Sequence, residues 1–108
     1  MSSEARKYRL SRQAQEDLLG IARYISRERP QAVVRVIHAL RESFRLIASN
    51  PLIGSNCNQL RPRLSMFVAS RPANRYAIFF RPSEANDLLE IVAVVDSARD
   101  WETLLGKK

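Results

Sequence analysis

Residues 60–95 read LRPRLSMFVASRPANRYAIFFRPSEANDLLEIVAVV, and this stretch decides the fold. It contains three segments rich in apolar, aromatic and β-branched residues, separated by turn-forming Pro, Asn, Asp and Ser residues. The segments predict strands over Leu64–Ser70, Arg75–Arg81 and Leu88–Val95. Because short turns join consecutive strands, we expect these three to run antiparallel.

The last predicted strand is apolar on both of its faces. Strict alternation places one set of side chains on one face of the strand and the other set on the other face: first Leu89, Ile91, Ala93 and Val95, then Glu90, Val92 and Val94. In the middle strand, alternation places Tyr76, Ile78 and Phe80 against Arg75, Ala77, Phe79 and Arg81. A strand apolar on both faces is typical of one that is covered on both sides. We expect helices on one face, and a partner protein or a terminal segment on the other.

Two helices are predicted before the sheet. Ser11 has the chemistry of an N-cap, and apolar residues at helical spacing follow it over 12–28. Pro30 ends this helix and starts a second one, whose apolar stripe continues until Pro51 ends it. Helices of this length joined by a few residues run antiparallel. Gly20, inside the first helix, costs that helix about 1 kcal/mol and would be tolerated where another helix packs close.

The predicted element order is β-α-α-β-β-β-(α), an α+β fold in which an N-terminal helical hairpin packs on an antiparallel sheet. A half-buried strand is expected at Lys7–Leu10, a loop over 51–63, and a short C-terminal helix or turn over Ser97–Leu105. Residues 1–108 are expected to form a single domain, with frayed ends at 1–6 and 106–108.

The composition argues against several kinds of site. One His, one Cys and scattered acids offer no metal-ligand cluster of the usual spacing, and three glycines at 20, 54 and 106 form no phosphate-binding loop. We interpret His38 as a partly exposed structural residue and Cys57 as an incidental thiol, and expect no cofactor. The lone cysteine and the lack of an apolar run long enough for a membrane span favour a cytoplasmic protein.

Arginine dominates the charge of the chain. The net charge is +7, and fifteen of the eighteen cations are Arg. Between Glu42 and Glu84 there is no acid, but there are six arginines: Arg45, Arg61, Arg63, Arg71, Arg75 and Arg81. A solubilising surface usually mixes both signs, so we interpret this window as a docking surface. Arg suits carboxylate and phosphate alike, but the lack of central Lys and of stacking aromatics favours an acidic protein over a nucleic acid.

A series of short motifs runs through the chain in order. They are Ser11 and Ala14 ahead of Asp17-Leu18, Ile21 with Tyr24-Ile25, Phe44-Arg45-Leu46-Ile47, Asn50-Pro51-Leu52-Ile53-Gly54, Leu60-Arg61-Pro62, Tyr76-Ala77-Ile78-Phe79-Phe80-Arg81-Pro82, and Glu90-Ile91-Val92-Ala93-Val94-Val95 followed by Ala98-Arg99-Asp100. Together they resemble the RelE/ParE toxin superfamily, most closely its ParE-like branch, over residues 8–101.

The resemblance implies the toxin of a bacterial type II toxin–antitoxin pair. Such a toxin is covered by the acidic C-terminal segment of a ParD-like antitoxin, and the complex, a higher-order heteromer, binds operator DNA through the antitoxin. ParE-like toxins are associated with inhibition of DNA gyrase. RelE-like toxins instead cleave messenger RNA in the ribosome.

Two departures from the superfamily pattern bear on the branch. The central lysines and late tyrosine of a RelE-like nuclease are missing, and Trp101 stands in that terminal region. Asp96 stands where many relatives have a His, and we assign this position no role. We therefore expect a non-enzymatic gyrase inhibitor. The alternatives are a RelE-like ribosome-dependent endoribonuclease using Arg61 and Arg81, and a plain nucleic-acid-binding module whose binding weakens steeply with salt.

The predicted partner-binding residues are the arginines of the sheet region, one later arginine, and an apolar anchor near the C-terminus. They are Arg61, Arg63, Arg71, Arg75, Arg81, Arg99 and Trp101. We assign no catalytic residue and no metal ligand under this hypothesis.

Overall fold

A computed structural model describes residues 7–83, 88–99 and 104–105 of the chain. In chain order its elements are β1 (Tyr8–Leu10), α1 (Arg12–Glu28), α2 (Val33–Ser49), β2 (Ser55–Asn56), β3 (Ser65–Val68), β4 (Tyr76–Pro82) and β5 (Leu89–Asp96). Within the described ranges, the two helices pack on one face of a five-stranded sheet of order β1-β5-β4-β3-β2. The predicted α+β class is confirmed. The predicted frayed ends at 1–6 and 106–108 lie outside the described residues.

Helix α1 begins where the sequence predicts, because Ser11 caps it. The Ser11 hydroxyl accepts a hydrogen bond from the Ala14 backbone N–H at 3.0 Å, which satisfies one of the unpaired N–H groups of the first turn. The buried side chains of α1 have the predicted helical spacing: Ala14, Leu18, Ile21 and Ile25. Pro30 then opens a short 3₁₀ turn, Pro30–Ala32, that leads into α2.

Helix α2 supplies the most deeply buried helical side chains. Leu40, Phe44 and Ile47 are fully buried against the sheet. Removing a side chain of this size from water stabilises a fold by roughly 1.5–3 kcal/mol. Asn50 caps the C-terminal end of the helix and Pro51 follows in a 3₁₀ turn, so the predicted end of α2 is confirmed.

The sheet is mixed rather than purely antiparallel. Strand β1 runs parallel to β5, with Leu10 opposite Ile91, whereas the other neighbouring strands are antiparallel. The predicted 51–63 loop contains β2, which adds a further strand by pairing Asn56 with Ser65. A two-residue strand offers no alternation of apolar and polar residues, so the pattern of the sequence does not reveal it.

Buried side chains form one cluster on each face of the sheet. On the first face, α1 and α2 pack against Tyr76, Ile78 and Phe80 of β4, which share one face as predicted. The cluster on the second face consists of Cys57, Leu60, Leu64, Ala77, Phe79, Val92, Ala93 and Leu105. The prediction that both faces are covered is therefore confirmed. On the second face the chain itself supplies part of the cover, through Leu60 and Leu105.

A β-bulge in β5 changes which of its side chains face the helices. Phe79 lies opposite Ala93, but the next residue of β4 lies opposite Ile91, so Val92 has no opposite residue. As a result Val92 and Ala93 both lie in the second cluster, while Ile91 and Val94 lie in the first. The predicted strict alternation holds as far as Val92 and is wrong from Ala93 onward, because one extra residue reverses the faces of those that follow.

The two glycines that the structure describes have opposite surroundings. Among the described residues, a Cβ atom on Gly20 would meet nothing within 4 Å. Within the described ranges no second helix packs close to Gly20, and this side of α1 faces open space. A Cβ on Gly54 would lie 2.6 Å from the Phe80 ring and 2.9 Å from the Met66 carbonyl oxygen. The lack of a side chain at Gly54 thus lets the loop lie directly against β3 and β4.

Candidate functional site

A cleft of about 680 Å³, called here the β5 cleft, opens beside the C-terminal half of β5. It is lined by residues 92–96, by one face of α1, by Arg75 and Tyr76 at the start of β4, and by a group formed of Arg61, Arg99, Leu104 and Leu105. The residues that α1 contributes are Gln13, Glu16, Asp17, Gly20, Ile21 and Tyr24. The open space beside Gly20 is part of this cleft.

The cleft exists because β1 is shorter than β5. Pairing between these strands ends with Leu10 opposite Ile91, and the chain then enters α1. At this point the Ser11 N–H donates to the Ile91 carbonyl at 3.0 Å, and the Ser11 hydroxyl donates to the Val92 carbonyl at 2.7 Å. Beyond Val92, the described part of the chain places no strand along this edge of β5.

Asp17 reaches from α1 to the edge of β5. Its Oδ2 accepts a hydrogen bond from the Val94 backbone N–H at 2.8 Å, and its Oδ1 accepts one from the Gln13 side-chain amide at 2.8 Å. Burial raises the pKa of the Asp17 carboxyl, although the bond from Val94 acts in the opposite direction. The carboxylate therefore stands where the carbonyl of a neighbouring strand would accept the same N–H.

An ion pair between Arg75 and Asp96 lies at the other end of the cleft. The Arg75 Nε donates to Asp96 Oδ2 at 3.2 Å, and Nη2 donates to the same oxygen. The Arg75 guanidinium also lies 5.6 Å from the ring centre of Tyr24 and 5.7 Å from that of Tyr76, within range of a cation–π interaction. A hydrogen bond from the Ala98 N–H and the pairing with Arg75 together lower the pKa of Asp96.

Asp96, like Asp17 and Gly20, lines the cleft but is not among the predicted site residues. In the antiparallel register, Tyr76 lies opposite Asp96, which brings Asp96 beside Arg75. That register follows only when the extra residue near Val92 is counted, and the bulge has no clear signature in an apolar run. Position 96, which has no role assigned from the sequence, therefore holds the carboxylate that pairs with Arg75, a predicted docking residue.

Arg61 and Arg99 complete the charged lining of the cleft. The Arg61 Nε donates to the Leu105 carbonyl at 2.8 Å, which attaches the C-terminal segment to the loop after β2. Arg99 is exposed, and its charge helps to lower the pKa of Asp96. The structure thus brings Arg61, Arg75 and Arg99 of the predicted set together around one cleft.

The other predicted docking residues lie elsewhere. Arg81 is paired across the strands with Glu90, Nε to Oε1 at 3.0 Å, and does not line the cleft. Arg63 and Arg71 are exposed in turns, with Arg63 at a positive φ of 63° and its N–H donated to Asn58 Oδ1. Trp101 lies outside the described residues.

The acid-free window does not produce a uniformly basic surface. Acids from outside the window pair with its arginines: Glu42 with Arg45, Asp96 with Arg75, and Glu90 with Arg81. The cleft itself is lined by three acids and three arginines, namely Glu16, Asp17, Asp96, Arg61, Arg75 and Arg99. Counting charge along the chain fails here because β5 brings its acids alongside β4.

The remaining polar candidates lie away from the cleft. His38 is exposed on α2, 3.9 Å from Glu42, in agreement with the predicted surface position. Cys57 is buried in the second cluster, and burial raises the pKa of its thiol. Across residues 7–83, 88–99 and 104–105, no group of three or more His, Cys, Asp or Glu is placed to hold a metal ion. In the same ranges no helix is long and apolar enough to cross a membrane.

Comparison with known families decides the identity of the fold. Residues 8–101 match the family described as the ParE toxin of the type II toxin–antitoxin system parDE. The chain belongs to the ParE toxin family. In this ParE-family chain the matched residues include β1, both helices and the full sheet. They also include the lining of the β5 cleft, except for Leu104 and Leu105.

A solved structure supports the same architecture. The chain is similar to a protein of the chromosomal ParDE toxin–antitoxin system from P. aeruginosa, with a TM-score of 0.70 and 15% sequence identity. The similarity covers 87% of this chain and 98% of the other. At this identity the comparison supports the ParE-like fold alone. No curated protein gives a significant match to the sequence.

Proposed function

We propose that this ParE-family chain is the toxin of a type II pair, that it inhibits DNA gyrase by direct binding, and that a ParD-like antitoxin neutralises it. The observation that carries the proposal is the family match over residues 8–101. The similar fold belongs to a ParDE system, which names the kind of antitoxin. The toxin acts in the cytoplasm, and the complex forms a higher-order heteromer that binds operator DNA through the antitoxin.

The β5 cleft supports a binding role better than a catalytic one. The endoribonuclease alternative needs Arg61 and Arg81 to act on one substrate. Arg61 lines the cleft with its Nε bonded to the Leu105 carbonyl, whereas Arg81 is paired with Glu90 outside the lining. Burial raises the pKa of Tyr76, which also lines the cleft, and this disfavours Tyr76 as a general base. The site is therefore proposed as a docking site for protein.

A cellular experiment separates the two activities. Induction of the chain in a bacterial host is expected to relax a reporter plasmid and to arrest growth, while 5′-end mapping of messenger RNA shows no new codon-specific cuts. The proposal predicts a small open reading frame beside the gene, and co-expression of its product, called here the candidate antitoxin, is expected to restore growth. Codon-specific cuts with unchanged plasmid topology would show that the chain cleaves messenger RNA on the ribosome and does not inhibit gyrase.

Matched variants test whether the candidate antitoxin binds in the β5 cleft. Arg99→Gln removes an exposed charge that lines the cleft, whereas Arg45→Gln removes an exposed charge that is paired with Glu42 on α2. We expect Arg99→Gln to weaken binding of the candidate antitoxin by about 2- to 5-fold, the range for one partly screened charge contact, and Arg45→Gln to leave it unchanged. Equal effects of the two substitutions would place the docking surface elsewhere.

A further inference from the structure

We propose that the turn end of the helical hairpin binds the phosphate backbone of double-stranded DNA without reading its sequence. The site consists of four exposed arginines, called here the turn patch: Arg23 and Arg27 on α1, Arg29 in the connection, and Arg35 on α2. None of them lines the β5 cleft. Neither gyrase inhibition nor neutralisation by an antitoxin requires this contact, so it is an additional binding activity of the chain.

Charge is unevenly distributed along the two helices. The half of the hairpin next to its turn, residues 21–40, contains the four arginines of the turn patch and one acid, Glu28. The half away from the turn, residues 11–20 and 41–50, contains three arginines and three acids. With His38 neutral, the turn half therefore carries a net charge of +3, whereas the other half carries none. The turn patch precedes the acid-free window, which begins after Glu42.

The helical hairpin brings the four arginines close together. Helix α1 ends one residue before Arg29, and α2 begins two residues before Arg35. Arg23 and Arg27 are one turn apart, about 6 Å along the axis of α1, and helical spacing places both on the side opposite its buried residues. Because the axes of packed helices lie roughly 8–10 Å apart, the four side chains can contact a single partner surface.

The arginines of the turn patch have no acidic partner within the described part of the chain. There they form no ion pair and no side-chain hydrogen bond, and Glu28 is exposed and pairs with none of them. By contrast, Arg45, Arg75 and Arg81 are each paired with a carboxylate. The turn patch therefore keeps its full charge for an external partner.

Helix stability does not explain this arrangement. Arg35 lies in the first turn of α2, where the helix dipole favours an acid and disfavours a cation. Arg23 and Arg27 have the i, i+4 spacing at which like charges destabilise a helix. Only Arg27, in the last turn of α1, and Arg29, at its C-cap, lie where a cation is favourable. Charges that oppose the local preferences of a helix are typical of a functional site.

The chemistry of the turn patch favours a phosphate backbone over an acidic protein. Interfaces with folded proteins depend on apolar and aromatic anchors, and over residues 26–35 Val34 is the one large apolar side chain that is exposed. Protein surfaces usually mix both signs of charge, whereas duplex DNA presents one negative charge for about every 1.7 Å of its axis. Contacts between arginine and phosphate need no base-specific geometry.

The turn patch suits a duplex better than a single strand. Proteins that hold single strands stack the bases on aromatic side chains. Tyr24, the aromatic residue next to Arg23, lines the β5 cleft instead, with its ring centre 5.6 Å from the Arg75 guanidinium. The choice of duplex DNA over duplex RNA rests on the proposed function, in which the chain acts on DNA gyrase and its complex binds operator DNA.

The dependence of DNA binding on salt tests this inference. The intact chain is titrated into a short fluorescein-labelled duplex at several KCl concentrations, and fluorescence anisotropy gives the association constant. Each contact with a phosphate contributes about −0.9 to the slope of log association constant against log salt concentration, so four contacts predict a slope of roughly −3.6. A duplex of unrelated sequence should give the same slope, because phosphate contacts do not specify bases. A slope near zero would overturn the inference.

Two matched double variants test whether the turn patch makes these contacts. Arg27→Gln with Arg35→Gln removes one arginine of the patch from each helix, and the slope is expected to become less steep by about 1.8. Arg12→Gln with Arg45→Gln removes the same charge from the opposite end of the two helices and should leave the slope unchanged. All four side chains are exposed, so both variants are expected to fold. Equal slopes of the two variants would overturn the inference.

Competition with other polyanions, measured on the unmodified chain, identifies the class of partner. Poly-glutamate and vesicles that contain phosphatidylglycerol are expected to displace the labelled duplex less effectively than unlabelled duplex DNA at the same charge concentration. Stronger displacement by poly-glutamate would assign the patch to an acidic protein, and stronger displacement by vesicles would assign it to a membrane. Either result, or tighter binding of duplex RNA than of duplex DNA, would overturn the inference.

DNA binding and gyrase inhibition can fail separately. A chain that inhibits gyrase but does not bind duplex DNA would overturn the role of the turn patch and leave the proposed function intact. A chain that binds duplex DNA with the expected slope but leaves gyrase active would overturn gyrase inhibition alone.

Discussion

Asp96 gives the cleft a charge contact whose strength depends on pH. Its folded pKa is lowered, so its ionised form stabilises the fold above the ordinary carboxyl pKa, and this contribution is lost as the pH falls through the lowered value. We predict that Asp96→Asn lowers the free energy of unfolding by about 0.5–1 kcal/mol at pH 7, because the pair with Arg75 is largely exposed. Urea denaturation should show the difference between variant and wild type shrinking as the pH drops below 4.

The asparagine keeps an oxygen that accepts the Ala98 N–H, so the substitution removes the charge and retains that hydrogen bond. In a double-mutant cycle with Arg75→Gln, the stability effects of the two substitutions are expected to be less than additive. A stability difference that stays constant from pH 7 to pH 3 would mean that the pair with Arg75 does not contribute.

The two glycines provide a second test with opposite expected signs. We predict that Gly54→Ala destabilises the fold by about 1–3 kcal/mol, because the new methyl group overlaps the Phe80 ring and the Met66 carbonyl. Gly20→Ala should raise the free energy of unfolding by up to about 1 kcal/mol, because alanine favours the helix and the Cβ enters open space. Thermal or urea denaturation of both variants measures the two effects. A stabilising Gly54→Ala would show that the loop relaxes away from β3 and β4.

At the scale of single residues, the sequence predicted caps and helix ends but not the contacts of particular polar groups. Ser11 was identifiable because an N-cap depends on neighbours a few positions away. The roles of Asp17, Asp96 and Gly20 depend on which strand passes beside them, which the sequence does not specify locally. Arg75 reaches the cleft because it precedes β4 and Arg99 because it follows β5, whereas Arg61 reaches it from the loop between β2 and β3.

At the scale of elements, Ser11 connects the start of α1 to the bulge of β5. Its hydroxyl accepts from the Ala14 N–H and donates to the Val92 carbonyl. We predict that Ser11→Ala costs about 1–2 kcal/mol of stability, since it removes the cap and leaves a partly buried carbonyl without its donor. Ser11→Thr retains the hydroxyl and should lose much less. Chemical denaturation compares the two, and equal losses would assign the effect to packing instead of hydrogen bonding.

Strands β4 and β5 show that the residue pattern predicts the bounds of a strand but not a bulge within it. The segments of β4 and β5 were placed to within one residue, because each contains a long apolar run bounded by turn formers. The bulge at Val92 was not detectable, because an apolar residue on either face of a doubly covered strand satisfies the pattern equally well. This single extra residue determines that Val94 and Asp96 present their backbone groups to the cleft.

At the scale of the whole molecule, the predicted class and the helical hairpin on the sheet are confirmed, and the predicted basic surface is revised. The +7 charge of the chain remains, but β5 supplies acids that pair with two arginines of the window. What stands out instead is a cleft of mixed charge beside an incomplete sheet edge. A surface of this kind suits an extended partner segment better than a uniform phosphate backbone.

Inhibition of gyrase by this chain is tested most directly in a supercoiling assay with the purified chain and stepwise addition of the candidate antitoxin. We predict that the chain alone stops supercoiling of relaxed plasmid, and that activity returns when the antitoxin reaches stoichiometric equivalence. Normal supercoiling in the presence of excess folded toxin would contradict the account.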